Sequence, residues 1–195
     1  MATTALVTGS AERVGPVVDA LHAAGASAVG VSELDRLDAE LAAIPAGSLD
    51  CYIQLPLTLR PGGATVVSRV TDFLESGLLR RFHLVQAVLP ALANDGRVLL
   101  VTGHTPVDAS APDDQAARIA FLDVLAHAIR ADRAPAKVRV RVLDHRQPAA
   151  EIARLALTGE PVQRPTAERR AAERETELSY QDWRTEILGL ATVEV

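Results

Sequence analysis

Apolar residues recur along this chain at two alternating spacings, one suited to a buried strand and one to the core-facing stripe of a helix. Ala5-Leu6-Val7 predicts a short strand, and after a turn Val14, Val17, Val18 and Leu21 predict a helix over 14–24 that stops at Gly25. Ala28 to Val31 reads as a second buried strand, and Leu34, Leu37, Leu41 and Ile44 as a second helix ended by Pro45 and Gly47. Leu49 to Leu55 supplies a third strand, stopped by Pro56. The longest helical pattern covers 65–93, with Asn94-Asp95-Gly96 expected to close it. Arg97 to Thr102 is then a nearly continuous apolar strand of the kind buried on both faces. A helix over 113–131, a strand over 138–143 and a helix over 149–157 complete the pattern. Strands separated by helices long enough to cross over predict a mainly parallel sheet covered on both sides, a three-layer α/β/α sandwich. Ligands of such sheets lie beyond the carboxyl ends of the strands.

Past residue 160 the pattern changes, which divides the chain into a domain over 1–160 and a tail over 161–195. Gln163 to Glu177 is dominated by Arg and Glu at spacings such as Arg169 to Glu173, as on a solvated helix. Leu178, Tyr180, Trp183, Ile187, Leu188 and Leu190 then restore an apolar spacing. The tail is therefore expected to be a C-terminal helical arm that docks on the domain or on a neighbouring subunit.

Composition narrows the function classes. With 195 residues, 48% of them hydrophobic and 23% charged, the chain can bury one full core. A net charge of -5 offers no basic footprint for nucleic acid, and Cys51, the single cysteine, offers no disulfide framework. A lone thiol suits a reducing compartment, so a cytoplasmic location is expected. The first strand is predicted close to Met1, so no leader is expected, and no apolar run is long enough to cross a bilayer. His22, His83 and His127 fall on separate helical segments without paired ligand spacing, so no metal site is expected.

The segment from Thr8 to Gly15 is the first candidate for ligand chemistry. Gly9 lets the chain double back at positive φ, and Gly15 is expected to let helix and strand pack closely while the helix amides face an anion. A second candidate lies past the ends of two central strands. Thr102, His104, Asp144 and His145 are placed to converge there, with His104 or His145 as a base oriented by Asp144. Polar residues are equally expected in any loop past a strand end.

The order of elements, the Thr8-Gly9 turn, the Asp50-Cys51-Tyr52-Ile53 strand and the segment from Phe82 to Leu89-Pro90 together resemble the short-chain dehydrogenase/reductase family over residues 3–160. The resemblance implies a Rossmann-like domain binding NAD(H) or NADP(H), with Thr8, Gly9, Ser10, Arg13, Val14, Gly15 and Glu33 toward the cofactor. Glu33 favours NAD through the ribose hydroxyls, whereas Arg13, where the family has a glycine, leans toward the extra phosphate of NADP. The family's catalytic set is not preserved. Its Tyr-x-x-x-Lys pair falls on Asp114 and Arg118, its serine near Thr102 and its asparagine near Gly77. Lys137 is the only lysine, and Arg133 stands four residues before it. Asn-Asn-Ala-Gly of the family is replaced by Gln54-Leu55-Pro56-Leu57, and one βα unit between Val31 and Leu49 is missing. The usual reductase chemistry is therefore expected to be lost.

Apolar positions on the 65–93 and 113–131 helices face more directions than one sheet face can bury. A second surface is expected to cover them. The resemblance makes it a two-fold contact in a homo-oligomer, or a contact with a related reductase; the alternative is a thicker monomer core with the tail folded over these helices. Three functions follow: a non-reducing binding or assembly subunit; an enzyme, either an oxidoreductase with a substitute acid or a non-redox lyase, isomerase or cyclase using the His104, Asp144 and His145 region; or a nucleotide-binding sensor.

Overall fold

The computed structural model describes residues 2–32, 36–57, 64–103, 112–134 and 136–159, and in the helices leaves out the side chains of 66, 69 and 112–117. The compact unit so described ends at Gly159. The expected arm over 161–195 lies outside the described residues.

Five strands form one sheet in the order β2-β1-β3-β4-β5, and every neighbouring pair runs parallel. They are β1 (Thr4–Thr8), β2 (Ser27–Val31), β3 (Leu49–Gln54), β4 (Leu92–Val101) and β5 (Arg139–Leu143). The chain runs outward from β1 to β2 and then returns across β1 to β3, so the strand order reverses between β1 and β3. Successive strand side chains point to opposite faces, which is why β1 and β3 feed two separate cores. Ala5, Val7, Cys51 and Ile53 face α1 (Ala11–Ala23) and α6 (Ala149–Thr158) through Val14, Val17, Leu21, Ile152 and Leu155. Leu6 and Tyr52 face the other layer, where α2 (Leu37–Ala42), α4 (Arg80–Val88) and α5 (Pro112–Asp132) bring Leu37, Val85, Leu122 and Ile129. The result is the expected α/β/α sandwich, Rossmann-like in form.

Two expectations are corrected. The helical run expected over 65–93 is present but ends at Ala91. It comprises α3 (Val66–Asp72), a π-helical stretch Phe73–Leu79, α4, and a 3-10 turn Leu89–Ala91. Pro90 has no N–H to continue the helical ladder, and Leu92 already pairs with Leu49 of β3. Asn94-Asp95-Gly96 therefore lies inside β4 as a bulge: Leu92 pairs with Leu49, but Arg97 pairs with Cys51. A side chain at Gly96 would come within 2.9 Å of the Ala93 carbonyl, so the bulge closes only around a glycine.

The second correction concerns Gly15, which does not mediate close packing of α1 on the sheet. A Cβ there would meet nothing within 4 Å, whereas a Cβ on Gly30 of β2 would come within 2.5 Å of Val14 Cγ1. Helix α1 approaches the sheet closely over Gly30, and β-branched Val14 and Val18 fill the space left by the missing side chain.

The sheet borders differ in kind. On β2 the sequence is Ser27-Ala28-Val29-Gly30-Val31, with Val29 37% exposed and His22 Nε2 bonded to the Ala28 carbonyl at 2.9 Å. On β5, Arg139 and Arg141 alternate with buried Val140 and with Val142.

Cys51 is fully buried, and that burial pushes its thiol up to about 12, the nearby Arg97 opposing and Asp50 adding. A folded-state value above the unfolded one gives stability that is intact below pH 9 and lost as the pH climbs toward 12. Between pH 9 and 10 the wild type should lose about 1 kcal/mol more stability than Cys51→Ala, by urea titration at each pH. Equal pH slopes in the two proteins would contradict this.

Candidate functional site

The switch between β1 and β3 places the Thr8–Gly9–Ser10 turn beside the segment that leaves β3. Leu55 N–H donates to the Thr8 carbonyl at 2.7 Å, and Ser10 N–H to the Pro56 carbonyl at 3.1 Å. Gly9 has φ +155°, and a Cβ on it would lie 2.6 Å from Leu55 Cβ. Gly9 N–H is taken by the Val31 carbonyl at 3.3 Å, and the Arg13 and Val14 amides both reach the Ser10 carbonyl at 3.0 Å. Most amides of the turn are thus committed within the protein.

Residues named for the cofactor fall into distinct environments. The Thr8 hydroxyl lies in the interior, 2.9 Å from the Tyr52 hydroxyl, and Val14 belongs to the α1 core. Ser10 Oγ donates to Glu12 Oε1 at 3.3 Å, in the open. Gly15 faces empty space, and Arg13 on the same turn of α1 is half-buried. Glu33 lies outside the described residues.

Behind the turn runs a buried polar network that bridges three strands and α4. Gln54 Nε2 donates to the Tyr52 hydroxyl at 3.2 Å and to the Arg81 carbonyl at 2.9 Å. Arg81, 6% exposed, returns the contact: Nε donates to Gln54 Oε1 at 2.9 Å, and one terminal nitrogen, Nη2, to the Val101 carbonyl at 2.8 Å and the Gln54 carbonyl at 3.5 Å. Among the described residues, neutral oxygens alone receive this cation. Burial pulls Arg81 down to about 10, Tyr52 opposing and Arg118 adding, while burial pushes the Tyr52 phenol up to about 12 against its bonds with Thr8 and Gln54.

Of the positions expected to align with the reductase catalytic set, two come together. Gly77, from the π-helical stretch, and Arg118, from α5, line one cavity with Arg81, Pro56, Leu57, Leu78, Phe121 and Leu122. Gly103, next to the expected serine counterpart Thr102, packs on Arg118: a Cβ on it would meet Arg118 Nη1 at 2.9 Å. Arg118 also lies over the Phe73 ring, 4.7 Å from its centre. The cavity volume is about 10 Å³, room for one water-sized particle. The Asp114 side chain lies outside the described residues.

The second cluster assembles in part. Thr102 N–H donates to the Leu143 carbonyl at 2.8 Å, and His145 N–H to Thr102 Oγ1 at 2.9 Å, so this hydroxyl braces the loop after β5. His145 Nδ1 stands 3.4 Å from Asp144 Oδ1, and its side chain is 11% exposed. The same carboxylate oxygen accepts the Arg146 N–H at 2.8 Å and Arg146 Nε at 3.2 Å. Burial alone would raise the Asp144 carboxyl, but the Arg146 backbone and guanidinium, with His145 adding, outweigh it and hold the group below its usual value. His104 lies outside the described residues.

Sequence reasoning passed over Arg81, although a signal was there. It precedes Val85 and Val88 by four and seven residues, which places an arginine on the buried stripe of a helix.

No protein-family model and no curated protein sequence matches the chain. Among solved structures it is similar to the protein lin1944 from Listeria innocua, at 15% identity and TM-score 0.60, over 82% of this chain and 96% of that one. It is also similar to a Burkholderia multivorans protein provisionally described as a short-chain alcohol dehydrogenase, at 11% identity and TM-score 0.54, over 80% of this chain and 91% of that one. At such identities the likeness establishes the architecture alone: this chain has a Rossmann-like α/β fold.

Proposed function

We propose that this chain is a reductase-fold protein that binds without reducing, a binding or assembly subunit rather than a dehydrogenase. The observation that carries this reading is the chemistry of the cavity beside β3. Among the described residues, its only titratable side chains are Arg81 and Arg118. A guanidinium stays protonated through neutral pH, even Arg81 at about 10, so neither can exchange the proton that hydride transfer to or from a carbonyl requires.

A nicotinamide dinucleotide suits the chain at its phosphate end. The Ala11 and Glu12 amides at the head of α1, the open space over Gly15 and the Arg13 guanidinium are the groups that would hold the diphosphate. When bound, the cofactor supplies hydride chemistry; the cavity lined by Gly77 and Arg118 is too small to take its nicotinamide ring. The subunit role also gives a use to the apolar residues left uncovered on the helices, including Val67 at 75% and Val124 at 68% exposure, which would pack against a second copy or an intact reductase.

The test combines binding and turnover on one purified sample. Any of the four nicotinamide dinucleotides that binds should raise stability by about 2.7 kcal/mol at a hundredfold excess over its dissociation constant. A panel of carbonyl compounds and alcohols should leave the nicotinamide absorbance unchanged, and light scattering should report a dimer. Turnover at enzymatic speed would overturn the reading. A non-redox enzyme is the second reading, supported by the 3.4 Å approach of His145 to Asp144; against it stands the sharing of that carboxylate with Arg146.

A further inference from the structure

We propose that the cavity at the amino ends of β4 and β5, at the opposite end of the sheet from the Thr8–Gly9–Ser10 turn, binds a small zwitterion, a free α-amino acid with a short side chain. The inference is independent of whether a dinucleotide binds or is reduced. It rests on three observations about the same place.

The first is space. The bulge of β4, the end of α5 and the approach to β5 bound a cavity of about 590 Å³, within the range of small-molecule sites. The second is unspent charge of both signs. Asp95 and Asp132 stand on its wall with Arg133 and Lys137, and among the described residues none of the four enters an ion pair. Such a wall repels an ion of either sign alone about as much as it attracts it, whereas a ligand carrying both charges can meet each with its opposite. The third is the setting of the individual groups. Arg133 is held in place, because Nη2 donates to the Leu92 carbonyl at 3.0 Å, and its Nε is buried with no partner among the described residues. A fixed guanidinium with donor capacity left over suits a carboxylate. Asp132, the last residue of α5, sets a carboxylate at the negative end of a 21-residue helix, where a cation is favoured. A ligand ammonium beside Asp132 relieves that placement. The methyl groups of Ala134 and Ala136 complete the lining and suit a short apolar side chain.

L-Alanine is the probe, with propionate and ethylamine as controls that carry one charge each. In ¹H–¹⁵N spectra of the full chain, L-alanine should shift the Asp95, Asp132, Ala134 and Lys137 amides saturably, with a Kd of about 1 mM or tighter. Propionate and ethylamine should each bind at least about tenfold more weakly. Lys137→Met and Asp132→Asn, both at exposed positions, should each weaken L-alanine binding by about the same factor. Absence of a saturable shift with L-alanine would overturn the proposal, and so would equal affinity for propionate or ethylamine, neither of which requires a variant. Binding unchanged in both variants would also do so, because the ligand would then sit elsewhere.

Discussion

Gly9→Ala should lower the stability of this protein by about 3 kcal/mol, and the melting temperature by roughly 6–12 °C, one of the largest losses available to a single added methyl group. Two independent costs combine. At φ +155° an alanine is strained, and its Cβ would lie 2.6 Å from Leu55 Cβ and 3.3 Å from the Leu55 backbone. Leu55 cannot retreat, because its N–H is held to the Thr8 carbonyl at 2.7 Å and its side chain is 2% exposed. The control is Gly15→Ala. That glycine lies inside α1 with empty space around its missing Cβ, so alanine should stabilise by about 0.5–1 kcal/mol through helix propensity. Chemical denaturation of the two variants reads both signs. Equal stabilities for the pair would refute the account of the turn.

At Arg81 the conservative change should be the worse one. Arg81→Lys is expected to cost about 3 kcal/mol and Arg81→Met about half of that. The guanidinium serves Gln54 Oε1 and the Val101 carbonyl from two different nitrogens. A lysine ammonium, more strongly hydrated and lacking the planar fork, would keep the desolvation cost and reach fewer of these acceptors. Methionine leaves the acceptors unmet but removes the buried charge and refills the volume of the stem. Denaturation midpoints of the three proteins decide the order, and a lysine variant as stable as the wild type would refute the role given to the fork.

The fold was legible in the chain because its strands are nearly uniform apolar runs and its helices carry clear stripes, and both signals are local. The 65–93 segment misled for the same reason. Leu92 and Ala93 continue a helical spacing, and only the long-range pairing of Leu92 with Leu49 withdraws them into β4. Gly15 misled because a glycine after a strand suggests contact, whereas the contact was made by Gly30 across the layer. At the site, the resemblance to a known family gave only the expectation that Asp114 and Arg118 stand where that family has Tyr and Lys. What could not be read was the meeting of Gln54, Arg81 and Val101, which are far apart in sequence and join only when α4 lies on the sheet.

One border of the sheet is charged and the other is not, and this bears on how the protein goes out of solution. Beyond β5, Arg139 and Arg141 set like charges against any strand that might add there. Beyond β2 the sequence from Ser27 to Val31 holds no charge at all, and His22 occupies one of its outward carbonyls. Partial unfolding that frees α1 would uncover a short, uncharged template, so fibrillar or amorphous precipitates of this protein should grow from β2 rather than from β5. A lysine in place of Val29 is the change that would guard that margin.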